Sequence, residues 1–126
     1  MDPSVHVLNV LPEGMYTGRE NPFKIKHPGH IPGSVNIDSD HFFDEGGAFK
    51  SASQLNDILS AAGVTQDREV IVHCWGGIRT TIGVFVLSLL GRERVCAYDG
   101  SMSEWSSRDD APVTMQTTNA PSGGDR

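Results

Sequence analysis

Apolar and β-branched residues gather in four short runs along the first hundred positions, and each run has the length of a strand. The runs occupy positions 5–11, 34–37, 70–72 and 94–98. Short runs rich in valine and isoleucine, bounded by glycine, proline and polar residues, predict strands. Because 70–72 is continuously apolar, it is predicted to be a strand covered on both faces.

Two segments between these runs carry helical signals. Ser51 and Gln54 have the spacing of a capping box, apolar residues follow at intervals of three and four, and Gly63 stands where a helix would end. A second helix is predicted over 80–90, with Gly91 after it. Since this segment is apolar on nearly every side, we expect it to be deeply buried.

The order of these elements predicts the fold class. Strands that alternate with helices are typical of an α/β fold with a mainly parallel central sheet, flanked by helices on both faces. We assign this fold to one domain over 1–113. Residues 114–126 are polar and contain proline and a Gly-Gly pair, which predicts a disordered tail or linker. Residues 16–33 hold many glycines and prolines and predict a long irregular loop.

Composition narrows the choice of partners and compartment. The 126 residues include 10 basic and 16 acidic side chains, a formal net charge of −6, which argues against a nucleic-acid or anionic-membrane binder. No stretch is long and apolar enough to span a membrane, and the first residues lack signal-peptide features. Two cysteines do not make a disulfide framework, so a reducing, cytoplasmic setting is expected.

The strongest chemical signal is Cys74, which stands between a predicted buried strand and a predicted buried helix. Ligands of open parallel sheets bind beyond the carboxyl ends of strands. Gly76 and Gly77 allow successive backbone N–H groups to turn inward, and the helix that follows adds its positive end. With the charge of Arg79, these features favour the thiolate of Cys74 over the thiol, which predicts a nucleophile. The alternative is a buried cysteine that merely ends a core strand.

The spacing between Cys74 and Arg79 separates two cysteine chemistries. Cysteine phosphatases place five residues between cysteine and arginine, after a His-Cys pair. Here His73 precedes Cys74, but only four residues precede Arg79. The shorter loop forms a smaller cradle, which suits one sulfur atom on the cysteine better than a phosphate. A cysteine phosphatase or arsenate-reductase-like enzyme remains the alternative from another reaction class.

Two further segments carry a resemblance to a known family. Residues 29–37 read Gly-His-Ile-Pro-Gly-Ser-Val-Asn-Ile, and residues 95–105 read Val-Cys-Ala-Tyr-Asp-Gly-Ser-Met-Ser-Glu-Trp. Together with the four-residue loop after Cys74, they resemble the rhodanese-like sulfurtransferases. The two segments are most similar to the catalytic C-terminal half of tandem thiosulfate and 3-mercaptopyruvate sulfurtransferases.

The resemblance implies sulfur transfer through a persulfide on Cys74. The donor would be a small anionic sulfur compound such as thiosulfate, and the acceptor cyanide or a thiol, including one carried by a protein. A second rhodanese-like domain is an implied partner, and neither a metal nor an organic cofactor is implied. Donor and persulfide would be bound by the loop and the start of the helix: Trp75, Gly76, Gly77, Ile78, Arg79 and Thr80.

Some positions depart from the family pattern. Asn9 stands where many rhodaneses have an acidic residue, and 15–18 and 26–28 lack the arginines that help tandem enzymes to bind their donors. These departures keep a non-catalytic, regulatory rhodanese-like module as an alternative. Cys96, in the middle of a predicted strand, is interpreted as a core residue, His73 as a buried strand residue, and His30 as mainly structural.

Overall fold

A computed structural model describes residues 5–22, 24, 27–75, 78–98 and 100–115 of the chain, without the side chain of Ile78. The longest helix has 12 residues, and within the described ranges no helix has both the length and the apolar character needed to cross a bilayer. The strands are β1 (Val5–Asn9), β2 (Val35–Asn36), β3 (Glu69–His73) and β4 (Val95–Ala97); the helices are α1 (Glu13–Thr17), α2 (Ala52–Ala61), α3 (Ile78–Leu89) and α4 (Ser101–Trp105), with a 3-10 helix at Ser39–Phe42.

The four strands form one parallel sheet in the order β2-β1-β3-β4. Strands β1 and β3 pair along five residues, from Val5 opposite Glu69 to Asn9 opposite His73, and make the centre of the sheet. Parallel strands require crossover connections, and here helices supply them. The predicted α/β class with a parallel central sheet is therefore confirmed.

Helix α3 packs against the sheet through one face. A Cβ atom added to Gly83 would lie 2.8 Å from Cγ1 of Val72 and 3.3 Å from Cγ1 of Val10, so the backbone of α3 approaches the sheet more closely than alanine allows. The opposite face is open, since Phe85 is 48% and Leu89 54% exposed. The prediction of a helix buried on nearly every side is wrong, because only the face that bears Gly83 meets the sheet.

The hydrophobic core fills the space between the sheet and its helices. Val72 of β3 and Phe42 of the 3-10 helix are fully buried, and Leu55 and Leu59 of α2 are nearly so. The capping box that the sequence predicts at Ser51 is present: its side chain accepts from the Gln54 N–H, and the Gln54 side chain accepts from the Ser51 N–H. The core therefore joins α2 and the 3-10 helix to the central strands.

Cys96 is exposed, so its interpretation as a core residue is wrong. Strand β4 lies at the edge of the sheet and has only three residues. Cys96 pairs with Ile71, whose own side chain is only half-buried, whereas Val70 and Val72 on either side of it are fully buried. Side chains alternate between the two faces of a strand. Cys96 therefore lies on the more thinly covered face, where its Sγ is 3.6 Å from Oε2 of Glu69.

The C-terminal boundary of the folded part lies beyond the predicted one. Thr114 forms an antiparallel bridge with His30, in which the His30 N–H donates to the Thr114 carbonyl at 2.9 Å and the Thr114 N–H to the His30 carbonyl at 2.8 Å. Thr114 thus belongs to the folded domain, although the prediction placed it in the tail. Residues 116–126, the rest of that predicted tail, lie outside the described residues.

Candidate active site

Cys74 follows the last residue of β3, at the carboxyl end of a central strand. Its residue surface is only 2% exposed. Helix α3 begins four residues later, at Ile78. This is the edge of a parallel sheet at which helix N-termini and ligands meet.

The segment that precedes and begins α4 holds the backbone around Cys74. The Met102 N–H donates to the Cys74 carbonyl at 3.0 Å, and the Ser103 N–H donates to the Trp75 carbonyl at 2.9 Å. The Cys74 N–H in turn donates to Oγ of Ser101 at 3.0 Å. Three hydrogen bonds thus fix the first two residues of the loop from a segment about 27 positions further along the chain.

Ser101 occupies this position in a conformation that is unusual for its residue type. Its φ is +50°, in the left-handed region, and its surface is fully buried. Left-handed backbone costs a non-glycine residue roughly 1–2 kcal/mol. The hydroxyl accepts from Cys74 and donates to the Tyr98 carbonyl at 2.7 Å, which offsets that cost. The sequence of this segment carries part of the family resemblance, but it does not show that Ser101 supports Cys74.

His73 is a buried, neutral neighbour of the cysteine. Burial lowers the pKa of His73 to about 4; the contact with the Cys74 carbonyl opposes this shift, and the charge of His30 adds to it. Nδ1 lies 3.3 Å from that carbonyl, while Nε2 has no hydrogen-bond partner among the described residues. The structure therefore agrees with the interpretation of His73 as a buried strand residue.

Arg79 lies in the first turn of α3, and its side chain turns toward the 3-10 helix. Nη1 donates to Oγ of Ser39 at 2.8 Å and lies 3.3 Å from Oδ1 of Asp38 and 3.7 Å from Oδ1 of Asp40. The sequence suggested that this charge attracts an anionic donor. In the structure two carboxylates already face it, and their contribution could not be read from the sequence motif.

Thr80 carries a buried hydroxyl in the first turn of α3. The residue is 1% exposed, and Oγ1 has no hydrogen-bond partner among the described residues. Thr80 precedes Gly83 by three residues and shares its face of α3, and Gly83 packs on Val72, two residues before Cys74. Thr80 therefore lies nearer than Gly83 to the start of α3, which follows the carboxyl end of β3 where Cys74 stands.

The other predicted site residues are described only in part. Trp75 is half-buried and packs against the core. Gly76, Gly77 and the side chain of Ile78 lie outside the described residues, so the predicted cradle of loop N–H groups stays a prediction. No group of three histidine, cysteine or acidic side chains that could hold a metal occurs within the described ranges.

Asn9 explains one departure from the family pattern. It is fully buried at the end of β1, where its Oδ1 accepts from the Leu11 N–H at 2.9 Å and from Nδ2 of Asn36 at 3.3 Å. The amide oxygen therefore makes two acceptor contacts without burying a charge, whose burial would need a compensating partner.

Comparison with known proteins decides the family. The model of the rhodanese-like domain matches residues 2–108, most of the chain. The chain belongs to the rhodanese-like domain family. Helix α3 and the parallel sheet next to Cys74 thus belong to a rhodanese-like domain.

Relatives of the rhodanese-like domain carry sulfurtransferase names. It is 43% identical over 86 residues to a putative thiosulfate sulfurtransferase of Haloferax volcanii, covering 68% of this chain and 30% of the relative. It is 36% identical over 87 residues to a thiosulfate sulfurtransferase of Pseudomonas aeruginosa, and over 85 residues to a 3-mercaptopyruvate sulfurtransferase of Escherichia coli, covering 69% and 68% of this chain. The matches span 32% and 30% of those two relatives, so the chain covers about a third of the length of each.

Solved structures support the fold. The wild-type structure of EanB has a TM-score of 0.80 at 23% identity, covering 90% of this chain and 28% of that one. An anaerobic ergothioneine biosynthesis enzyme from Chlorobium limicola gives 0.81 at 21% identity, with the same coverage. At this identity the likeness concerns the fold alone.

Proposed function

We propose that this rhodanese-like domain transfers sulfane sulfur through a persulfide on Cys74. One observation carries the proposal: a cysteine stands at the carboxyl end of the central strand β3, at the turn into α3, in a domain whose relatives are named sulfurtransferases. Sulfur transfer needs a nucleophile whose negative charge is stabilised before and after it accepts sulfur.

Two features support a charged sulfur at Cys74. The twelve-residue helix α3 directs its N-terminus toward the loop, and the positive end of a helix lowers thiol pKa values. The Thr80 hydroxyl, buried and without a partner among the described residues, is available to donate to the outer sulfur of the persulfide. A buried donor left without a partner costs roughly 1–3 kcal/mol, so a hydrogen bond to sulfur would recover that free energy.

The proposed reaction has two balanced steps. The Cys74 thiolate attacks the outer sulfur of thiosulfate; a new S–S bond forms, the S–S bond of the donor breaks, and its electron pair leaves with sulfite. The acceptor, cyanide or a thiolate, then attacks the outer sulfur of the persulfide. The electron pair of that S–S bond returns to Cys74 and regenerates the thiolate, so no external oxidant or reductant is consumed.

Arg79 acts in this scheme as a positioning residue. Its guanidinium is held by Asp38, Ser39 and Asp40, so it joins the 3-10 helix to the first turn of α3. That turn contains Thr80 and leads directly from the loop. Arg79 thereby fixes the turn that carries the Thr80 hydroxyl, while its own charge is largely balanced by the two carboxylates.

Intact-mass measurement after incubation with thiosulfate tests the proposal. We expect the protein to gain the mass of one sulfur atom, to release one equivalent of sulfite, and to lose the added mass when cyanide is supplied. Cys74→Ser should gain nothing. Cys96→Ser is the matched control, since Cys96 is the exposed free thiol, and it should react like the unmodified chain.

Other outcomes of the same experiment select the alternatives. If Cys96→Ser abolishes the adduct and Cys74→Ser keeps it, sulfur is carried at the wrong cysteine and the proposal fails. A phosphoenzyme formed from a phosphate ester would favour the cysteine phosphatase. No adduct from thiosulfate, 3-mercaptopyruvate or another sulfane donor would leave the non-catalytic rhodanese-like module.

A further inference from the structure

A concave surface lies at the amino end of β3, the end of the strand opposite Cys74. Gln66 and Arg68, just before β3, and residues 90–94, between α3 and β4, line a cavity of about 310 Å³ that is open to solvent on one side. The five residues of β3 lie between Arg68 and Cys74, which are therefore roughly 20 Å apart along the strand. We call it the arginine cavity.

The arginine cavity is positively charged in an acidic chain. It is lined by Arg68, Arg92 and Arg94, three of the 10 basic residues, and by one acidic residue, Glu93. Three positive charges and one negative charge leave two positive charges in the lining. The whole chain carries a formal net charge of −6, so this concentration is local.

Two of the guanidinium groups are already held in place by backbone carbonyls. Nη1 of Arg92 donates to the Thr65 carbonyl and Nη2 of Arg94 to the Asp67 carbonyl, both at 2.8 Å. A guanidinium has five N–H donors, so each retains others for a ligand. Arg68 makes no hydrogen bond and no ion pair within the described part of the chain. Among the described residues the cavity thus has two guanidinium groups held by hydrogen bonds and one, that of Arg68, without a hydrogen bond.

These arginines are not needed to cap α3. The last turn of that helix is closed by its own backbone, because the Gly91 N–H donates to the Ser88 carbonyl and the Arg92 N–H to the Leu87 carbonyl, each at 3.0 Å. Gly91, with a φ of +79°, makes this closing turn possible. The carbonyls of the helix end therefore leave the guanidinium groups available.

A neighbouring histidine responds to the positive field. Burial is the main cause that lowers the pKa of His6; Arg68 and Arg92 lower it further, and Asp67 opposes them. Nε2 of His6 accepts from the Thr65 N–H at 3.0 Å, which places this ring beside the cavity loop. His6 therefore offers a reporter of charge in the cavity.

We propose that the arginine cavity binds a small organic molecule that carries a phosphate or diphosphate group. Guanidinium forks match the oxygens of phosphate, and the two net positive charges of the lining match a dianion. Leu90 supplies an apolar wall for a carbon skeleton. The volume lies at the small end of ligand cavities, which run from about 300 to about 1,000 Å³, so the ligand is small.

Binding here does not depend on the reaction at Cys74. The ligand would contact neither the cysteine nor its loop, so it should not compete with thiosulfate. A ligand that binds only the folded state raises its stability. The binding site can therefore be tested in the Cys74→Ser variant, and its failure would leave the proposed sulfur transfer untouched.

The experiment titrates the Cys74→Ser chain with inorganic pyrophosphate, by calorimetry and by NMR of the His6 ring, at an ionic strength of about 0.15 M. We expect saturable binding and a rise in the pKa of His6 as the anion offsets Arg68 and Arg92. Arg68→Gln, which removes no hydrogen bond of the fold, should weaken binding about tenfold or more. Arg108→Gln is the matched control, since Arg108 pairs with Asp110 outside the cavity, and should bind as before.

Three results would overturn the proposal. They are the absence of saturable binding, equal affinity of Arg68→Gln and the parent chain, and equal weakening by Arg68→Gln and Arg108→Gln, which would mean a general charge effect. Citrate that binds as tightly as pyrophosphate would overturn the phosphate assignment. Arg92→Gln adds a second test: it should also weaken binding, and thermal unfolding of that variant checks that it still folds.

Discussion

At the scale of single residues, hydrogen bonds to its own backbone hold Cys74 in position. The backbone N–H of Cys74 is buried and has Oγ of Ser101 as its acceptor, while the carbonyl of the same residue accepts from Met102. A buried N–H without an acceptor costs about 1–3 kcal/mol. The position of Cys74, the proposed nucleophile, therefore depends on a hydroxyl that the sequence motif around the cysteine does not contain.

Replacing Ser101 tests this dependence. Ser101→Ala removes the acceptor and keeps a Cβ at a φ of +50°, so we expect a loss of about 1–3 kcal/mol of unfolding free energy and a lower rate of persulfide formation. Urea unfolding and the sulfite-release assay measure the two effects. Ser103→Ala is the control, because that side chain is exposed and donates to the Gly100 carbonyl of its own helix start, and it should change stability by less than about 0.5 kcal/mol.

Gly83 makes a second prediction at this scale. In Gly83→Ala the new Cβ would meet Val72 at 2.8 Å, so α3 must move away from the sheet. Overpacking costs about 1–3 kcal/mol, more than the roughly 1 kcal/mol that alanine gains over glycine in a helix, and we expect net destabilisation in thermal unfolding. Ser88→Ala, on the exposed side of α3, should be neutral or slightly stabilising. A higher stability of Gly83→Ala would contradict the close packing of α3 against Val72.

At the scale of elements, length decided what the sequence could predict. The pattern located all four strands, α2 and α3, because each has either a buried apolar run or a helical period. It missed α1, the 3-10 helix and α4, which have five, four and five residues. Helices of one turn show no period and are held by tertiary contacts. Ser39, Asp40 and Ser101 belong to such elements and Asp38 caps one, so the residues that support Cys74 and Arg79 were missed as well.

The link between Arg79 and the 3-10 helix gives the prediction for this scale. If Arg79 positions the first turn of α3, then Arg79→Ala and Asp38→Asn should both lower kcat for sulfur transfer and leave KM for thiosulfate nearly unchanged. The ion pair is partly exposed, so the loss of stability should be about 1 kcal/mol or less. The double variant should show less than the sum of the two effects.

A different kinetic pattern would assign Arg79 to the donor. If Arg79→Ala raises KM strongly while Asp38→Asn leaves it unchanged or lowers it, the guanidinium binds the anion directly. Arg108→Ala, an exposed arginine paired with Asp110, controls for the loss of one positive charge and should change neither parameter.

At the scale of the whole molecule, the two ends of the parallel sheet carry different kinds of side chain. The carboxyl ends of β1 and β3 carry buried polar groups, among them Asn9 and His73, beside Cys74. The amino end of β3 adjoins the arginine cavity. Cys96 is exposed because its strand, β4, is short and lies at the edge of the sheet. The sequence shows that a strand contains this cysteine, but it does not show the length of the strand or its place in the sheet. Strand order depends on long-range packing, which local pattern does not encode.

Stability against acid is a property of the whole molecule and follows from its buried histidines. Burial lowers the pKa of His73 from 6.5 to about 4 and lowers that of His30 as well. The unfolded chain therefore binds protons at a pH at which the folded chain does not. His73 alone should remove roughly 3 kcal/mol of stability as the pH falls from about 6.5 to about 4, and no more below that.

Urea unfolding across this pH range measures the effect. His73→Gln removes one titrating group and should flatten the profile, whatever its stability at neutral pH. His41→Gln, on the exposed side of the 3-10 helix, should keep the slope of the unmodified chain. A His73→Gln profile as steep as that of the parent would show that other groups cause the loss.

The contacts from Ser101, Met102 and Ser103 to the Cys74 loop also set an order of events during synthesis. The acceptor of the Cys74 N–H lies 27 residues downstream, so the ribosome must extend the chain well past the cysteine before its backbone can be fixed. Until then the thiol is an ordinary side chain on a nascent polypeptide. A rhodanese-like domain truncated before Ser101 would retain the sequence of β3 and Cys74, but it would lack the three hydrogen bonds that fix the backbone of Cys74 and Trp75.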